Sequence, residues 1–251
     1  MKGYIIVKEE CFRDELSIPA LRERNDEEWI NIILNYFLLY YRDMDKKEIQ
    51  NIIERESLKE ISKIETGIRN HIVRWLRRKY IFYYRGFKVN SESLASEIQE
   101  SYYDIKVEHS NWNRPNSYFA FECKKIGKFK HTSLMTSINE YVYIKTKNRE
   151  DGGMFRYFSG KYAVNQNFGG MIGFVISNSN RSPIELIKKK ILEIYDKDVN
   201  GKLIEEKIVD NSINDNENTF DSIHDRHCNS SIKEDRFVLH HILMDFAISL
   251  M

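Results

Sequence analysis

In the stretch SYFAFECKKIG, residues 117–127, an apolar run is interrupted by one acid and two bases. Strand side chains alternate between faces, so Tyr118, Ala120, Glu122 and Lys124 share one face while Phe119, Phe121 and Cys123 share the other. A carboxylate and an ammonium two residues apart can form an ordinary exposed ion pair. They can also act together on an anion, the acid through a hard cation and the base by its own charge. Asp104, in YYDIKV, is an acid on the strand just before, and it admits the same two readings, with Glu108 on the same face as a competitor. Acid-x-Lys occurs four times: Asp45–Lys46–Lys47, Asp104–Ile105–Lys106, Glu122–Cys123–Lys124 and Glu205–Glu206–Lys207. Only Glu122–Cys123–Lys124 sits inside an apolar strand that follows another acid-bearing strand.

A third acid lies on a helix. Ile61, Ile64, Ile68, Ile72, Trp75 and Leu76 recur at helical spacing through residues 58–80, and Glu65 falls on or beside that stripe. A carboxylate there needs a partner. Arg69, four residues on, is one candidate; a metal or an active-site lysine is the other.

The elements around these residues read as follows. YIIV, 4–7, suits a short strand. Residues 25–42 suit a helix capped by Asn25 or Asp26, and 45–56 a second one. Aromatic and β-branched residues predict a strand over 80–89; 91–101 reads as a short helix or a connection. Residues 102–109 and 117–126 form a hairpin around the NWNRPN turn. Residues 134–160 read as helical on both sides of Asp151–Gly152–Gly153. FGGMIGFVIS, 168–177, is a buried central strand, and Pro183 opens a helix with Ile184, Ile187, Ile191 and Ile194 on one face. Residues 205–235, rich in Asn, Asp, Ser and Glu, read as a long polar loop, and 237–248 as a strand or helix.

Composition narrows the classes. At 251 residues, 41% hydrophobic and a net charge of +1, the chain can bury a sizeable core and is no polycation, so any nucleic-acid surface must be local. Cys11, Cys123 and Cys228 are too scattered for a disulfide framework or a zinc ribbon, which suggests a reducing, cytoplasmic setting. The start, MKGYIIVKEECFRDE, does not read as a signal peptide, and WINIILNYFLLYY is too short to span a bilayer. No phosphate-loop or dinucleotide motif is present. His224, His227 and Cys228 lack a convincing fourth zinc ligand, and of His240 and His241 one reads as a core histidine.

From residue 58 on, the order helix, strand, strand, strand, helix, strand, helix, with Asp104 and then Glu122–Cys123–Lys124 on the middle strands, resembles the PD-(D/E)XK nuclease superfamily. Tyr103 stands where the nominal motif has proline, and the resemblance covers roughly residues 58–177. It implies an α/β, restriction-endonuclease-like αβββαβ core. An N-terminal helical extension over 1–57 would precede a nuclease-like domain over 58–251.

The resemblance also implies roles. Asp104, Glu122 and the Cys123 backbone carbonyl would bind Mg²⁺ or Mn²⁺, Glu65 would be the additional helix acid, and Lys124 would position water or stabilise the transition state. The Cys123 thiol, on the apolar back, reads as packing. Arg156 and Lys161 become candidate phosphate contacts, or else a surface helix end. The implied activity is metal-dependent phosphodiester hydrolysis, on DNA rather than RNA by analogy, in prokaryotic defence or DNA processing. Nucleic acid, DNA by the same analogy, is the expected partner, alongside a protein partner or a homodimer. The alternative is a catalytically inactive protein of the same fold that binds nucleic acid or protein.

Overall fold

The computed structural model of the chain describes residues 26–60, 62–79, 82, 84, 86–96, 101–110, 112, 117–128, 132–147, 149–163, 166–177, 179, 181–196, 200–226 and 236–248. The strand expected over 4–7 lies outside them. Three helices open the described chain: α1 (Asp26–Asp43), α2 (Lys46–Lys59) and α3 (Ser62–Arg78). Asp26, Glu27 and Glu28 crowd the first turn of α1, where the exposed N–H groups favour negative charge. Asp45 caps α2 by accepting the Lys47 N–H at 2.9 Å. The isoleucine stripe of α3 is buried at Ile64, Ile68 and Ile72.

The strands are β1 (Phe87–Ser96), β2 (Ser101–His109), β3 (Tyr118–Ile126), the short pair β4 (Ile144–Thr146) and β5 (Arg149–Asp151), β6 (Phe168–Ser177), β7 (Lys202–Asp210), β8 (Thr219–Asp225) and β9 (Arg236–Ile248). Helices α4 (Leu134–Val142), α5 (Phe155–Phe158) and α6 (Pro183–Tyr195) are interleaved with them. Seven strands form one mixed sheet in the order β1-β2-β3-β6-β9-β8-β7. It is mainly antiparallel: only β3 with β6 and β6 with β9 run parallel. The fold class is therefore mixed α/β.

The sheet divides the core in two. Phe119, Phe121 and Cys123 pack with Ile172, Phe174, Ile242 and Met244 against α1, α2 and α3. The alternate residues Ala120, Ile126, Met171, Val175 and Leu243 pack against α4, α5 and α6. The alternation expected for residues 118–124 is thus seen in the packing, and β6 is buried on both faces as a central strand should be. Helices α1 and α2 share one continuous apolar core with the sheet. Among the described residues, no helix is long and apolar enough to cross a membrane.

Several segments depart from expectation. Phe82 and Tyr84 are helical, and the strand expected over 80–89 begins only at Phe87, after Gly86 at φ 85°. The aromatics serve a different purpose: Phe82 stacks on Phe87 and meets the edge of Tyr36 in α1. The strand then runs on through NSESLAS, expected to be a helix or a connection. As an edge strand, β1 can carry a polar face to solvent. Between α4 and Asp151 the chain forms the β4–β5 hairpin, where more helix was expected. The long polar loop expected at 205–235 is in large part the β7–β8 hairpin. Its polar residues concentrate in the connecting turn, where Asn211, Asn214 and Asp215 adopt positive φ. Strand β8 buries Phe220, Ile223 and His224, and residues 227–235 lie outside the described set. Residues 237–248 belong to a strand, β9.

Candidate active site

The β2–β3 ladder runs from Glu108↔Tyr118 to Ile105↔Phe121 and stops there. In continuing register, Asp104 would lie opposite Glu122 and Tyr103 opposite Cys123. The Asp104 side chain takes over where the ladder ends: its Oδ2 accepts the Cys123 N–H at 2.8 Å. Its Oδ1 accepts from Arg69 Nη1 on α3.

Glu122 points to the opposite face and is completely buried. Its Oε1 is shared between Lys124 Nζ and Arg156 Nη1, the latter at 2.7 Å. Its Oε2 is buried without a hydrogen-bond partner. Tyr162 stands close, but its hydroxyl hydrogen goes to the Tyr102 carbonyl. Gly153 makes room here: a Cβ at this position would meet Tyr141 O at 2.8 Å and Glu122 Cγ at 3.4 Å. Burial raises the Glu122 carboxyl to about 7, with Asp104 pushing the same way and Lys124 and Arg156 opposing. Burial by itself would lower the Lys124 ammonium, but Glu122, Glu65 and Asp104 outweigh it and hold the amine charged.

Glu65 enters from the first turn of α3. Its Oε2 accepts the Lys125 N–H at 3.0 Å, and its Oε1 lies 3.7 Å from Lys124 Nζ. Of the two readings for Glu65, the partnership with Arg69 is not formed: Arg69 turns to Asp104 and to Glu92 of β1. Lys124 therefore lies between two carboxylates, one from each side of the sheet. The Cys123 thiol is buried in the apolar core, and burial pushes it well above its usual range.

Arg156, on α5, forms an internal knot with Glu122, with Asp151 at 3.3 Å and with the Tyr162 hydroxyl at 3.2 Å. Lys161 follows in the next turn, where its N–H donates to the Arg156 carbonyl. The structure thus brings Glu122, Lys124 and Glu65 into one ion-paired group at the end of the β2–β3 ladder, with Asp104 bonded to the Cys123 N–H and Arg69 on the α3 side.

Sequence reasoning missed Glu92, whose relation to Asp104 depends on strand register and has no local signal. It also missed the use of Arg69, although a basic residue adjoining a buried stripe was a visible sign. His224, considered as a zinc ligand, is buried and bonded to the Gly201 carbonyl and Ser222; residues 227 and 228 lie outside the described set. Among the described residues no group of three or more His, Cys, Asp or Glu is arranged to hold a metal ion. A cavity of about 310 Å³ between α1, α2 and α3, lined by Glu48, His71 and Trp75 among others, includes none of the four candidate residues.

No family model matches the chain, and no curated protein or solved structure matches it significantly.

Proposed function

We propose that the chain is a metal-dependent phosphodiesterase, a nuclease on a restriction-endonuclease-like core that acts on DNA in preference to RNA. The observation that carries this reading is that Asp104 reaches the Cys123 N–H, between Glu122 and its ion-pair partner Lys124, where β2 and β3 cease to pair. The succession α3-β1-β2-β3-α4-β6, a three-strand meander followed by a crossover to a parallel β6 that also carries the β4–β5 hairpin and α5, supports the αβββαβ core. Defence or DNA processing is the proposed setting, by analogy alone.

The residues fit a small hard cation in their chemistry. Asp104 and Glu122 offer carboxylate oxygens, and the buried Oε2 of Glu122 is an acceptor left without a donor. Mg²⁺ is commonly held by one or two carboxylates, with waters and substrate phosphate completing its shell, so a two-acid set is enough. Asp104, Glu122 and the Cys123 carbonyl would hold the ion, with Glu65 assisting. Such an ion would supply Lewis acidity to the phosphoryl oxygens and acidify water.

The remaining work belongs to the chain. Lys124, charged and flanked by Glu122 and Glu65, is aimed by both acids and stabilises negative charge on the transferring phosphoryl group. Arg156 holds the Glu122 carboxylate in place from the other side. One observation favours the alternative, a non-catalytic protein of this fold: Arg69 already neutralises Asp104.

Cleavage of single- and double-stranded DNA and RNA, in Mg²⁺, Mn²⁺ or chelator, separates the two readings. Metal-dependent hydrolysis lost in both Lys124→Ala and Asp104→Ala is expected. Hydrolysis unaffected by either substitution, or no hydrolysis together with no metal binding by calorimetry, would defeat the proposal.

A further inference from the structure

Arg69 holds two carboxylates of very different standing. The guanidinium is nearly buried, at 5% exposure, with Nη1 on Asp104 Oδ1 and Nη2 on Glu92 Oε1. Its Nε is buried with no partner. The Asp104 side chain is only 15% exposed, and its other oxygen is fixed to the Cys123 N–H. The Glu92 side chain is 65% exposed and lies on the edge strand.

The two acids lie across β1 and β2 from one another. Ser91 pairs with Ile105 and Ser93 with Tyr103, while the intervening Glu92–Asp104 position drops out of the ladder. Glu92 sits there at φ 54°, a conformation unfavourable for a residue with a side chain, and such outliers persist where the surroundings impose them. An Arg69 bond is the interaction the structure gives Glu92 in return.

Resting on the nuclease reading above, we propose that Arg69 is the built-in counter-cation of Asp104, and that Glu92 is the acceptor that keeps Arg69 when Asp104 is given over to a divalent cation. Asp104 Oδ1 cannot serve both charges well, because a guanidinium beside a divalent ion is repelled. A nearly buried guanidinium with no carboxylate is itself costly. With Glu92 in reach, Arg69 gives up one acceptor and retains the other. Glu92 thus lowers the cost of freeing Asp104 without touching the ion.

This assignment makes predictions of opposite sign for two residues that form one ion pair. Calorimetric titration of the full chain with Mn²⁺ reads them directly, with the Mn²⁺-induced rise in melting temperature as a second readout. Arg69→Met removes the competitor and is expected to tighten Mn²⁺ binding roughly tenfold. Glu92→Gln leaves Arg69 with Asp104 as its one charged acceptor and is expected to weaken binding by a similar factor. The double variant is expected to match Arg69→Met, because Glu92 acts only through Arg69. Glu92 is exposed, so its variant tests the proposal even where Arg69→Met fails to fold.

Weaker binding in a folded Arg69→Met would make Arg69 a strut for Asp104 and overturn the proposal. A double variant weaker than Arg69→Met would make Glu92 a direct ligand and overturn it also. Wild-type binding that neither single substitution alters defeats the Arg69–Glu92 exchange alone, whereas no Mn²⁺ binding even in the wild type defeats the nuclease reading and the exchange together.

Discussion

Asp104 Oδ2 receives the backbone N–H of Cys123 at 2.8 Å, one step beyond the last β2–β3 ladder pair. One carboxylate therefore closes the end of a strand pairing and presents its charge at the candidate site. Asp104→Asn separates these tasks. The amide oxygen can satisfy Cys123 or Arg69 but not both, so stability is expected to fall by roughly 1–3 kcal/mol in urea melts. On the proposed nuclease reading, cleavage is expected to fall by roughly a hundredfold or more, because the lost charge would be electrostatic support for the reaction. A variant that cleaves within a factor of about two of wild type would remove Asp104 from the chemistry.

Glu122 and Arg156 form a pair in which the acid is fully buried and the base is 29% exposed. Removing the base leaves the buried Glu122 with Lys124 as the one cation the structure sets on it. Arg156→Met is expected to cost roughly 2–4 kcal/mol of stability. Adding Glu122→Gln should recover part of that loss, since the buried acid that Arg156 neutralised is gone while Lys124 keeps Glu65 at 3.7 Å. No recovery in the double variant would mean that Arg156 stabilises through its contacts with Asp151 and Tyr162 instead.

Much of this site was legible because its residues are local in sequence or lie on strongly patterned elements. Glu122 and Lys124 share a strand face by alternation alone, and Glu65 stands beside an isoleucine stripe that fixes the orientation of α3. What stayed hidden depends on register. Glu92 meets Asp104 only through the β1–β2 pairing, and β1 was itself obscured because its polar edge-strand residues do not alternate with apolar ones. Polar composition likewise hid β7 and β8. The turn at 211–218 holds the Asn and Asp residues, and the edge position of β7 tolerates charge.

Glu65 accepts the Lys125 N–H and lies 3.7 Å from the Lys124 ammonium. Glu65→Gln keeps the acceptor and removes the charge. The fold should therefore change in stability by less than about 0.5 kcal/mol. On the proposed nuclease reading, cleavage should fall roughly tenfold, less than for Asp104→Asn, because Lys124 keeps Glu122 as its nearer acid. Unchanged cleavage would reduce Glu65 to a backbone acceptor that ties α3 to β3.

A buried polar chain on the other side of β9 sets a pH dependence unrelated to the candidate site. Tyr141, His241, Ser222, His224 and the Gly201 carbonyl are linked in series at 2.9, 2.8, 2.8 and 2.6 Å. The carbonyl can only accept, so His224 Nδ1 carries a proton and its Nε2 accepts from the Ser222 hydroxyl. Ser222 Oγ then accepts from His241 Nε2, and His241 Nδ1 accepts from Tyr141. Every donor meets one acceptor only when both imidazoles are neutral, and a proton added to either nitrogen acceptor would face an existing donor. Burial pushes His224 down to about 4; it pushes His241 well below its usual value too, with His224 and His240 adding to the effect. The unfolded chain binds these protons near pH 6.5, while the folded chain refuses them until much lower pH. Stability is therefore full above about pH 7 and drains away as pH falls from about 6.5 towards 4, by roughly 3 kcal/mol for His224. Melting curves between pH 4 and 8 should show this fall. His224→Gln should be less stable at neutral pH but should lose about one proton's worth of slope between pH 6.5 and 4.5. Carboxylates contribute equally to both proteins, so an unchanged slope would mean that His224 is protonated in the folded chain and that the series of bonds is not the one described.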